Sequence, residues 1–133
     1  MISIKALLIS IVTMIFLGLI FELIFLFVDI GYNSLIKSYP FTESFRQAFN
    51  YLFVLFGLFF IMSTGGYLTA LYAKKYVVAH SVFSASVICG IALYATSSGY
   101  DFTLMSVLFV IIGIAFSLYG SRAYRKINNE ASL

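Results

Sequence analysis

ALLISIVTMIFLGLIFELIFLFV, residues 6–28, is the stretch whose reading decides the fold. Its 23 residues contain a single ionisable side chain, Glu22. As a helix it spans roughly 34 Å at about 1.5 Å per residue, enough to cross a hydrocarbon core of about 30 Å. Lipid offers the backbone no hydrogen bonds, so a lone spanning segment has to be helical. Lys5 followed by an apolar run resembles the start of a secretory signal, but the run is longer than such a core. Asp29, Ile30, Gly31 and Tyr32 follow it in place of a small-residue cleavage site, so the segment reads as a retained helix.

Three further apolar runs of similar length lie at about 48–71, 77–96 and 102–119. The expectation is an all-α membrane protein, a single domain over residues 1–133 with four transmembrane helices. Composition agrees: 62% of the residues are apolar and 10% charged, with a mean hydropathy of +1.06. A water-soluble surface normally needs about a quarter charged residues, so the surroundings expected here are a lipid bilayer. The net charge of +3 calls for no nucleic acid, because the placement of the basic residues accounts for it.

With the N-terminus in the cytoplasm, the inner segments carry Lys5, Lys74, Lys75, Arg122, Arg125 and Lys126, and the outer ones only Lys37 and Arg46. That distribution follows the positive-inside rule and predicts that both termini are cytoplasmic. Tyr32, Tyr39, Tyr51, Tyr94 and Tyr100 fall at outer helix ends, and Tyr72, Tyr76, Tyr119 and Tyr124 at inner ones, as two aromatic belts would. Lys74-Lys75 predicts a tight inner hairpin, and residues 97–101 a short outer turn. The outer connection 29–47 is long, with Pro40 in its middle. It reads either as an amphipathic segment on the membrane surface or as a loop tucked onto the helix ends.

Helices in lipid associate through small residues that let backbones approach. Ser81, Ala85, Cys89 and Ala92 form such a stripe on the third helix. Gly66, Ala70 and Ala73 do so on the second, and Gly113, Ser117 and Ser121 on the fourth. The Gly65-Gly66 pair suits close approach or a bend, and Cys89, the only cysteine, suits packing. The tightest contacts are therefore expected among helices two, three and four, with packing inside one chain favoured over oligomerisation.

Glu22 and His80 are the candidate functional residues, because an ionisable group inside a membrane is costly to keep. Glu22 lies roughly 24 Å from the inner end of its helix and His80 about 5 Å from the inner end of its own, so the two cannot pair. Asn50, Tyr51, Tyr94 and Thr96 are at a suitable level to meet Glu22. Desolvation there favours a neutral carboxyl. It would serve either as a proton-exchanging or cation-binding group or as a hydrogen-bonded lock on helix one. His80 lies level with Ser10, Tyr67 and Thr69. It would cap a small polar cluster or, as the alternative, sense pH. No metal-ligand set, phosphate loop or catalytic grouping is found, so neither an enzyme nor a cofactor is expected.

The run Ser63-Thr64-Gly65-Gly66-Tyr67, then Lys74-Lys75, Ala79-His80 and Gly90, with Gly113-Ile114-Ala115 and Gly120-Ser121-Arg122 at the end, resembles a loose group of small bacterial membrane proteins without assigned activity. The resemblance covers about half the chain; it implies a bacterial inner membrane and no particular chemistry. Four helices with one glutamate in the first are also similar to the small multidrug resistance exporters. The long outer connection and the strong charge bias depart from them. The expected function is a non-enzymatic accessory, assembly or scaffold subunit, with other membrane proteins or a second copy of itself as partners. A small proton-coupled transporter using Glu22 and a holin-like pore are the alternatives.

Overall fold

A computed structural model describes residues 3–73, 75–96 and 104–130. It contains α1 (Ile4–Ser38), a 3-10 helix (Pro40–Phe45), α2 (Arg46–Tyr72), α3 (Val77–Thr96) and α4 (Leu104–Glu130). The four α-helices are each long and apolar enough to cross a membrane. Lys74, the expected outer turn at 97–101 and residues 102–103 at the expected start of helix four lie outside the described residues.

Two helices run well past the expected spans. α1 does not end near residue 28 but continues to Ser38, so its 35 residues extend roughly 52 Å. Hydropathy marks where lipid ends, and nothing between Asp29 and Ser38 breaks a helix. What stops α1 is Pro40, which drives the preceding residue out of the helical region: Tyr39 sits at φ −137, ψ 82. The connection expected over 29–47 is therefore largely helical. It shrinks to Tyr39 and the 3-10 helix that Pro40 opens. Tyr32 donates to the Thr42 carbonyl at 2.7 Å, and Arg46 pairs with Asp29 at 2.9 Å, which folds this short cap onto the end of α1. α4 likewise carries on to Glu130, about three turns beyond residue 119, with Arg122, Arg125 and Lys126 on the extension.

α1 and α2 form an antiparallel hairpin in regular register. Tyr32 stacks on Phe49, and Phe25 and Phe21 both meet Phe53. Further along, Phe21 lies over Gly57, Met14 over Gly65, and Ser10 beside Thr69. The most extensive contact is between α2 and α4. α1 packs on α2 and α3 and, among the described residues, not on α4. Helices two, three and four thus make the central unit, but the α1–α2 hairpin matches the α3–α4 contact in extent. The core has two parts: Met14, Met62, Ala85, Ile88 and Cys89 in the middle, and Ala6, Ala70, Ala73 and Val77 nearer the α2–α3 turn.

Candidate functional site

The α2–α4 crossing is made by glycine. A Cβ on Gly66 would run into the backbone carbonyl of Ser117, and one on Gly120 into that of Ser63. These are backbone-to-backbone approaches that no side chain can relieve. Hydroxyls then use the closeness. Ser63 donates to the Phe116 carbonyl at 3.3 Å, and Ser117 donates to the Ser81 carbonyl at 3.2 Å, tying α4 to both α2 and α3. Ser81, Ala85 and Cys89 are fully buried along α3, and Gly113 faces Cys89: a Cβ on that glycine would lie 2.6 Å from Sγ. Gly65 serves α1 instead, with Met14 seated against it.

A polar cluster joins α1 to α2. Ser10 donates to the Gly65 carbonyl at 2.8 Å, while the Thr69 hydroxyl reaches both Ser10 Oγ at 2.9 Å and the same carbonyl at 2.8 Å. His80 does not join it, although the sequence places Ser10 and Thr69 at its level. His80 is 1% exposed and bridges two backbone groups elsewhere. The Ser3 amide donates to Nε2 at 2.8 Å, and Nδ1 lies 2.7 Å from the Tyr76 carbonyl. An amide can only donate and a carbonyl can only accept, so these partners assign a neutral ring with its proton on Nδ1. Ser3 is the N-cap of α1, and its own hydroxyl accepts from the Ala6 amide at 3.3 Å. Tyr76 ends the α2–α3 turn at φ 55, the one positive φ outside glycine among the described residues. His80 therefore fastens the start of α1 to that strained turn.

Glu22 has a different setting. It is exposed on α1 and, among the described residues, makes no hydrogen bond or ion pair. The four neighbours expected for it do not supply one. Tyr51 is exposed and receives Gln47, Asn50 and Tyr94 do not bond it, and the side chain of Thr96 is not described. Level along the helix does not by itself bring two groups together, and Glu22 stays exposed. Asp29, seven residues on and on the same helix face, shows the contrast: it is engaged by Arg46 at 2.9 Å and by Asn33 at 3.3 Å.

Several contributors escape a sequence reading. Gly57 carries no flag beyond being a glycine in a span, and Gly120 lies just past the expected fourth span and stands out only in the resemblance, yet Phe21 fills the space over one and Ser63 over the other. Ser3 lies before the first span. A further feature is an open apolar groove of about 610 Å³, lined by Phe49, Phe53, Phe56 and Phe59 of α2 with Phe116 of α4. Among the described residues no three His, Cys, Asp or Glu side chains gather as a metal set. Compared with known proteins, the chain matches no family model, no curated protein and no solved structure.

Proposed function

We propose that this chain is a non-enzymatic subunit of the bacterial inner membrane, an accessory or scaffold element that works by contact with other membrane protein chains. The observation that supports this reading is Glu22, an exposed ionisable side chain in the apolar stretch of α1 with no partner among the described residues. Such a group is costly against lipid alone and is stabilised once another polar group meets it. Four buried polar side chains, by contrast, hold the bundle together: Ser10, Thr69, His80 and Ser117 all bond to backbone. A coupling carboxylate would be expected to face an interior path. We assign both termini to the cytoplasm from the six-to-two distribution of basic residues between inner and outer segments.

The test is affinity purification from native membranes at native expression level in mild detergent, followed by mass spectrometry. The expected result is a second membrane protein recovered in fixed stoichiometry. Recovery of the chain with no other protein attached overturns the accessory reading. In that case, proton-coupled transport assays on Glu22→Gln become the next comparison.

A further inference from the structure

Between Ile15 and Leu26 the side of α1 that carries Glu22 is left bare by the fold, yet it has the layout of a helix–helix seam. Ile15, Gly18, Glu22 and Leu26 follow one another at spacings of three, four and four, which sets them on one side of the helix. Ile15, Glu22 and Leu26 are exposed, and a Cβ on Gly18 would meet nothing within 4 Å. Gly57, Gly65, Gly66, Gly113 and Gly120 are each filled by a neighbouring element. Gly18, like Gly31 and Gly90, is filled by nothing, and it lies one turn from an unpartnered carboxyl.

We propose that this seam joins α1 to α1 of a second copy, side by side in parallel, with the two Glu22 carboxyl groups hydrogen-bonded to each other at its centre. Self-complementarity argues for a second copy over a foreign helix. A protonated carboxyl both donates and accepts, so two of them satisfy one another across a two-fold axis. A copy inserted in the same orientation also presents its Glu22 at the same depth by symmetry alone. Gly18 supplies the close backbone approach that lets two short-reaching carboxyl groups meet, and Ile15 and Leu26 pack on either side. The proposal rests on reading α1 as a contact surface between chains, and it is independent of which larger assembly the chain serves.

The experiment places one cysteine in a Cys89→Ser chain, either at Ile15 on the seam or at Phe16. Phe16 is at the same depth but 63% exposed on another side of the helix. Native membranes at native expression level are treated with a mild oxidant and scored for covalent dimers. Ile15→Cys is expected to give dimers and Phe16→Cys few or none. Adding Glu22→Leu to Ile15→Cys should lower the dimer yield roughly 5-fold, the loss of one interhelical hydrogen-bonded pair. Glu22→Gln, whose amide also donates and accepts, should retain the dimer. Equal cross-linking at the two positions, or a yield indifferent to Glu22→Leu at normal protein level, overturns the seam. Cross-linking of Ile15→Cys only to a different protein also overturns it while leaving the accessory reading in place. A dimer recovered with no other protein attached does the reverse.

Discussion

Replacing Gly66 with alanine should destabilise the protein far more than replacing Gly90 with alanine, although both are helical glycines in apolar surroundings. The added Cβ at position 66 collides with the Ser117 backbone, and backbone has no rotamer to change. α2 and α4 must therefore move apart along their most extensive contact. Overpacking of this kind costs about 1–3 kcal/mol. Separation also stretches the Ser63–Phe116 and Ser117–Ser81 hydrogen bonds, already at 3.3 and 3.2 Å, and interhelical bonds in membranes average about 0.6 kcal/mol each. The expected loss is about 2–4 kcal/mol. At Gly90 a Cβ meets nothing within 4 Å, so alanine there should be neutral, or stabilising by about 0.5–1 kcal/mol through its better helix propensity. Cys89 supplies the assay. As the only cysteine, fully buried, it reacts with a thiol-specific dye only when the bundle opens, so heating in mild detergent with the dye reports unfolding. On the scale of a soluble domain of similar size, about 4 °C per kcal/mol, the midpoint of Gly66→Ala should fall by roughly 8–16 °C. Gly120→Ala should behave like Gly66→Ala, because its Cβ meets the Ser63 backbone. Equal midpoints for Gly66→Ala and Gly90→Ala would refute the claim that glycine sets the α2–α4 approach.

Further outcomes follow from the same contacts. His80→Ala removes the acceptor of the Ser3 amide and the donor to the Tyr76 carbonyl. At about 1 kcal/mol per bond it should cost about 2 kcal/mol and speed hydrogen exchange at Ser3, while unchanged exchange there would count against the bridge. Gly113→Ala should destabilise by about 1–3 kcal/mol, and Cys89→Ala in the same chain should restore part of that loss by removing the sulfur it strikes. Loss of helical circular dichroism on heating is the readout for that pair, and simple additivity of the two changes would show that the contact is not made. Ser10→Ala should cost roughly 1 kcal/mol, since Thr69 keeps its own bond to the Gly65 carbonyl, and a loss much greater than that would mean Ser10 holds more than this cluster. Arg46→Ala should change stability by less than about 1 kcal/mol, because its pair with Asp29 is partly exposed; denaturation in mild detergent measures it.

The parts of the structure that the sequence makes legible are those governed by periodicity. Four apolar runs announce four helices long enough to span, and the stripe Ser81, Ala85, Cys89, Ala92 stands out because small residues recur at helical spacing; its first three members lie fully buried and Ala92 only partly. Helix ends were less legible, since hydropathy reports the lipid boundary and not the helix. Asp29 to Ser38 and Gly120 to Glu130 are polar enough to leave the membrane and still helical. Partners of the two ionisable residues were the least legible. A position along a helix gives depth, but contact also requires azimuth, and an amphipathic pattern normally supplies that. α1 is apolar nearly all round, so nothing in its pattern separates a face on lipid from a face on protein. For that reason His80 could be assigned to the first turn of its helix while Ser10 and Thr69, expected at its level, bond one another.

The division of polar groups between inside and outside explains how α1 can serve two purposes. In its first turns Ala6, Ser10 and Met14 recur every four residues as its only buried residues, and the Ser3–His80 bridge fixes where it begins. Beyond Met14 the helix is held by aromatic rings, Phe21 and Phe25 on Phe53 and Tyr32 on Phe49, and then by the Asp29–Arg46 pair at the cap. The contacts beyond Met14 all go to one neighbour, α2, whereas the Ser3–His80 bridge reaches α3. The hydroxyls that close the core of α2, α3 and α4 owe nothing to this half of α1, since Ser63 and Ser117 donate to the Phe116 and Ser81 carbonyls within those three helices. A second helix can therefore settle against Ile15, Gly18 and Glu22 without displacing any contact that holds the bundle. Glu22, the ionisable side chain of the apolar stretch 6–28, has no partner among the described residues and lies where satisfying it from outside disturbs the fold least.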